Sequence, residues 1–114
     1  MPNIKNEPEA FGLKTFGEVE FSSGCYEFDT LIVWRDQSGA FLYGEDKGCS
    51  CPEPFGDIDL RTAKRATPHE IAARIQERQR ERDANYSDPP TYGNDQAASL
   101  IERLMQTRLI REQQ

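Results

Sequence analysis

At 114 residues and a formal net charge of −6, the chain is the size of one domain. Leu, Ile, Val and Phe make up only about a fifth of it, near the composition of disordered chains, so the expected core is small. Residues 1–60 carry 4 Lys/Arg against 12 Asp/Glu, whereas 61–114 carry 10 against 8; the acidic front half argues against binding a phosphate backbone and suits a basic partner.

The opening "MPNIKNEPEA" has no apolar h-region, which reads as no secretory signal. No apolar run approaches the roughly 18 residues of a membrane span, so the expected setting is cytoplasmic, with no membrane contact. Residues 1–12 are polar, with two prolines, and read as a flexible arm.

Alternation begins at Leu13. "LKTFGEVEF" (Leu13–Phe21), "YEFDTLIVW" (Tyr26–Trp34) and "AFLYGE" (Ala40–Glu45) read as strands. The short turns between them predict an antiparallel meander. With four-residue loops, Trp34 faces Phe41, Ile32 faces Tyr43 and Phe21 faces Tyr26. One face then carries Val19, Phe21, Tyr26, Phe28, Ile32, Trp34, Phe41 and Tyr43 as core. Glu18, Glu20, Glu27 and Asp29 gather on the other, with Glu20 opposite Glu27 and Glu18 opposite Asp29. Like charges paired across strands destabilise a sheet, so this cluster needs solvent or a cation.

Thr67, Pro68 and Glu70 read as a capping box with proline at the first helical position. The helix they start is thinly apolar, with Ile71, Ile75 and Ala72, so it docks by two turns and projects into water beyond them. Residues 13–83 form the sheet-plus-helix unit, and 84–94, with two adjacent prolines and Gly93, a break. Residues 95–114 form an amphipathic helix on Ala97, Leu100, Ile101, Leu104, Met105 and Leu109. Its stripe either packs on the sheet or meets another protein, including a second copy of the chain.

"GCSCPEPF" (Gly48–Phe55) is the most unusual stretch. Cys49 and Cys51 could hold one zinc with Cys25 and either His69 or Asp57, but C-x-C is not the usual structural spacing. Pro52 and Pro54 stiffen the segment and deliver Phe55 to a defined place, the edge of the core. Rigid exit is the reading preferred, with no metal site and no cofactor assigned. No nucleophile–base pair or phosphate-cradling glycine loop stands out, so an enzyme is not expected.

The run Tyr26–Leu60 resembles a family of small actinobacteriophage proteins of unknown function. The resemblance rests on Trp34, Arg35, Asp36 and Gly39 of a "W-R-D-x-x-G" turn. It rests also on Gly48, Cys49, Ser50, Cys51, Pro52, Pro54 and Phe55 of the "G-C-S-C-P-x-P-F" segment. It implies a phage accessory protein acting in an infected bacterium, and no particular activity. The expected fold is α+β, a three-stranded antiparallel meander packed by one or two helices. The expected function is non-enzymatic binding of a host or phage protein, without direct nucleic-acid contact. The contact residues would be Glu18, Glu20, Glu27 and Asp29 on the sheet, with Leu104 and Leu109 on the last helix. A zinc-stabilised domain with a nucleic-acid-linked role is the alternative.

Overall fold

Asp36 sets the register of the central hairpin. Its carboxylate accepts from Ser38 N at 2.9 Å, Ser38 Oγ at 2.6 Å and Ala40 N at 3.0 Å. Asp36 N in turn donates to Ala40 O at 3.0 Å. Gly39 adopts φ +90°, a backbone conformation that disfavours side chains. The loop is therefore three residues, Gln37 to Gly39, where four were expected. That difference moves every pairing by one position.

The computed structural model describes residues 2–22, 27–49 and 54–113. Its strands are β1 (Leu13–Glu20), β2 (Glu27–Asp36), β3 (Phe41–Cys49) and β4 (Lys64–Arg65). They form one antiparallel sheet in the order β1-β2-β3-β4. Two helices follow, α1 (Pro68–Asp83) and α2 (Asn94–Gln113). The α+β class and the meander are as expected, with the two-residue β4 added at the edge.

The one-position shift decides which rings share a face. Trp34 pairs with Leu42, and Val33 with Tyr43. In β1 the register jumps between Thr15 and Gly17, a bulge at Phe16 that turns the rest of the strand over. Side chains alternate along a strand, so a single-residue slip reverses a face. The single aromatic face expected from the sequence is thus not formed. Val19, Phe21, Leu31, Val33 and Phe41 pack under the helices, joined by Ile71, Ile75, Ala97, Leu100 and Leu104, with Tyr43 partly buried beside them. Ile32, Trp34, Leu42 and Leu13 face the other way, with Ile4, Phe55 and Ala63. Tyr26 lies outside the described residues.

Strand β2 is therefore covered on both sides, and Thr30 to Trp34 are all buried. The N-terminal segment read as a loose arm supplies part of that second cover. Ile4 is fully buried, and Asn3 Nδ2 donates to Pro54 O at 2.9 Å. Burying a side chain such as Ile4 stabilises by about 1.5–3 kcal/mol.

Phe55 sits at the centre of this second core. Its ring meets Trp34 edge to face at 6.1 Å, and its N–H donates to Asp46 Oδ2 at 2.8 Å. Its φ of +65° is uncommon for a bulky residue. The ring contact and the Asp46 bond together hold it there.

Helix α1 begins with the expected capping box. Thr67 Oγ1 accepts from Glu70 N at 3.1 Å, and Glu70 Oε1 accepts from Thr67 N at 3.0 Å. Ile71, Ala72 and Ile75 are buried in its first two turns. The second half does not project freely: the Arg78 and Arg82 side chains are only 12% and 8% exposed.

Candidate binding groove

Beyond the apolar core, the helix-facing side of the sheet becomes acidic. Asp29 follows Leu31 and Val33 back along β2, and Glu45 pairs with Leu31 from β3. Above them, Arg74, Arg78 and Arg82 recur every four residues on one side of α1. Arg78 is the hub. Its guanidinium donates to Asp29 Oδ1 at 2.5 Å and to Glu45 Oε1, and lies 4.7 Å from the centre of the Phe21 ring. Arg74 Nε donates to the other Glu45 oxygen at 3.0 Å. Burial alone would raise the Glu45 carboxyl, but the hydrogen bonds and charges of Arg74 and Arg78 outweigh it and hold it below the ordinary value.

Glu20 closes the end of β1. Its carboxylate accepts from Ser22 Oγ at 2.5 Å, Ser22 N at 3.2 Å, Asp29 N at 2.7 Å and the Thr30 hydroxyl. Burial pushes this carboxyl up as well, and these bonds bring it below the ordinary value. Asp29 N–H points to the place where β1 leaves the sheet, and the carboxylate satisfies it there.

The α1–α2 connection is tied to the same corner. Gly93 adopts φ +80° against the Glu20 carbonyl, and Gln96 Oε1 accepts from Glu20 N at 3.1 Å. Arg82 donates to Tyr92 O and Asn94 Oδ1, each at 2.7 Å. Between this connection, α1 and the ends of β2 and β3 runs an open groove of about 1070 Å³. Phe21, Asp29, Glu45, Lys47, Arg78 and Tyr86 are among its walls. Tyr86 and Tyr92 stand on the rim, 51% and 39% exposed.

A family model described as "Domain of unknown function (DUF7574)" matches residues 2–108. The chain belongs to that family. No curated protein and no solved structure matches it. The family's description names no activity, so the chemistry of this DUF7574 domain is read from the groove. Among the described residues, no helix is long and apolar enough to cross a membrane. Among them, too, no group of three His, Cys, Asp or Glu is placed to hold a metal.

The residues expected to act together are divided. Glu20 pairs with Thr30 and Glu18 with Ile32, on the Trp34 side of the sheet. Glu27 and Asp29 lie on the helix side, so neither like-charge pair forms. Glu27 and Asp29 line the groove, while exposed Glu18 does not. Leu104 is fully buried against the sheet, which places this part of the α2 stripe inside the molecule. The side chain of Leu109 lies outside the described residues, as do Cys25, Cys51 and the side chain of Cys49. The sequence reading missed Glu45, Arg74, Arg78, Tyr86 and Tyr92. The four-residue spacing of the three arginines is the available signal, and Glu77 and Glu81 interrupt it.

Proposed function

We propose that this domain is a non-enzymatic binding protein whose groove receives a basic segment of another protein. The observation that carries this reading is the state of the groove's charges. Its arginines are already engaged by the chain's own acceptors: Arg78 by Asp29 and Glu45, Arg74 by Glu45 and Glu77, and Arg82 by Asp83 and Asn94. The exposed lining residues include Glu27 and Glu81, the rings of Tyr86 and Tyr92 (the latter beside Arg82), and Lys47. Aromatic faces and carboxylates suit arginine and lysine side chains. Glu45, held below the ordinary carboxyl value by Arg74 and Arg78, is poorly tuned for proton transfer near neutral pH, which favours binding over catalysis.

The resemblance of Tyr26–Leu60 to small actinobacteriophage proteins supports a host or phage protein as the partner, met in the cytoplasm of an infected bacterium. Affinity capture from such a host, read by mass spectrometry, tests this. The native chain should retain a partner that Glu27→Lys combined with Tyr86→Ala does not. Equal capture by both would overturn the reading.

The alternative, a zinc-stabilised domain, would draw on Cys49 and Cys51 with Cys25 and either His69 or Asp57. Stoichiometric zinc by elemental analysis, with unfolding by a chelator, would support a metal-stabilised domain with a nucleic-acid-linked role. A metal-free, folded chain would dismiss it.

A further inference from the structure

Strand β3 is longer than its outer neighbour. It runs to Cys49, but β4 pairs only with Leu42 and Tyr43. Among the described residues, no strand pairs with the outer edge of β3 beyond Tyr43. The direction of its backbone groups follows from the register. Phe21 N donates to Asp29 O, so odd-numbered residues of β2 face β1 and even-numbered ones face β3. On β3, Gly44, Asp46 and Gly48 therefore bond to β2, and Glu45 and Lys47 point outward. Ala66 N donating to Phe41 O, on that same outer side, agrees. Among the described residues, Lys47 N–H donates to the neighbouring Asp46 Oδ1, at 3.0 Å.

An edge of this kind is a template for another strand. Here it also forms a wall of the groove, through Glu45, Asp46, Lys47 and Gly48. On the opposite wall, from Arg74 to Tyr86, the arginines are held in ion pairs with the chain's own acids, and the carboxylate of Glu81 stays exposed. Resting on the groove reading above, we infer that the partner's segment binds as an added strand on the outer edge of β3. Its main chain pairs with Glu45 and Lys47, and alternate side chains enter the groove. The segment is basic, because the chain's front half carries the acidic excess and Glu27 lies exposed at the end of this groove.

Lysine 47 permits a sharp test. Its N–H faces away from β2, so Lys47→Pro removes an edge donor without breaking the ladder. Short random peptides are selected on the native full chain, and the best binder is titrated against three variants. Lys47→Pro should weaken binding roughly tenfold, the loss of an edge hydrogen bond and its neighbours' alignment. Lys47→Ala, which changes the side chain but keeps the N–H, should lose clearly less binding than Lys47→Pro. Amide exchange at Glu45 and Lys47 should slow when peptide is bound, a readout that does not depend on any variant folding. If Lys47→Pro binds normally, exchange is unchanged, and Glu27→Lys with Tyr86→Ala loses binding, strand addition is wrong and the groove reading stands. If none of these changes alters binding, or selection yields no binder, both fail. If the native chain sediments as a dimer that Lys47→Pro dissociates, the occupant is a second copy and the inference is overturned.

Discussion

Gly93 packs directly on the main chain of Glu20: a Cβ added at Gly93 would lie 2.2 Å from the Glu20 carbonyl oxygen. No side-chain rotation relieves that contact, and φ +80° already disfavours any other residue. The apparent break between α1 and α2 is thus a fixed joint that holds the groove's rim against the end of β1. Gly93→Ala should destabilise the chain by at least about 2 kcal/mol, read as the urea midpoint at unchanged slope. A shift within error would mean that the connection does not rest on β1.

Arg78 joins three elements. Replacing it with Met keeps an apolar stem but leaves Asp29 and Glu45 partly buried without their shared cation. A loss of about 3 kcal/mol is expected. Arg78→Lys should recover only part of it, because an ammonium cannot present the same fork to two carboxylates. Full stability in Arg78→Lys would show that the bridging geometry is unimportant.

Two acids that share the end of β1–β2 should behave differently. Glu20 accepts four hydrogen bonds, whereas exposed Glu27 pairs with Cys49 rather than with another acid. Glu20→Gln should cost about 1–2 kcal/mol, the smaller end of a charged hydrogen-bond network that is partly solvated. Glu27→Gln should be neutral. Equal effects in chemical denaturation would contradict the separation of these residues onto opposite faces.

Acid should loosen the α1–sheet contact. Glu45 and Glu20 have folded values below the ordinary 4.5. Their stabilisation is complete above the unfolded value and is lost as pH falls through the depressed folded one. Urea midpoints should therefore hold steady from neutral pH to about 5 and decline below it. Glu45→Gln should start lower and decline less. An unchanged acid profile in that variant would remove Glu45 from the account.

Phe55 fills the second core, so Phe55→Ala should cost about 3–5 kcal/mol. Thermal unfolding measures this directly. A change of a few tenths would show that the residues packed beneath Trp34 add little.

Much of this fold was legible in the sequence because its signals are local. The capping box at Thr67, the strand alternation and the amphipathic stripe of α2 each depend on neighbours a few residues apart. The failures are non-local. Counting Gln37–Gly39 as a four-residue loop moved the register by one, and the bulge at Phe16 gave no warning in its residue types. The first error placed Trp34 with Phe41; a four-residue loop after Phe21 placed Glu20 opposite Glu27, whereas Glu20 pairs with Thr30. One clue did point the right way: "TLIVW" is continuous rather than alternating, the mark of a strand buried on both sides. It required a second cover, and Ile4 and Phe55 provide it. The groove was harder to see, because Asp29, Arg78 and Tyr86 are separated by long stretches of chain and meet only when α1 crosses the sheet.

Amide chemical-shift mapping with a bound basic peptide tests the groove most directly. The account predicts the largest changes at Phe21, Asp29, Glu45, Lys47, Tyr86 and Tyr92, with β4 and the start of α1 unmoved. Changes concentrated on β4, the first turn of α1 or the exposed side of α2 would contradict it.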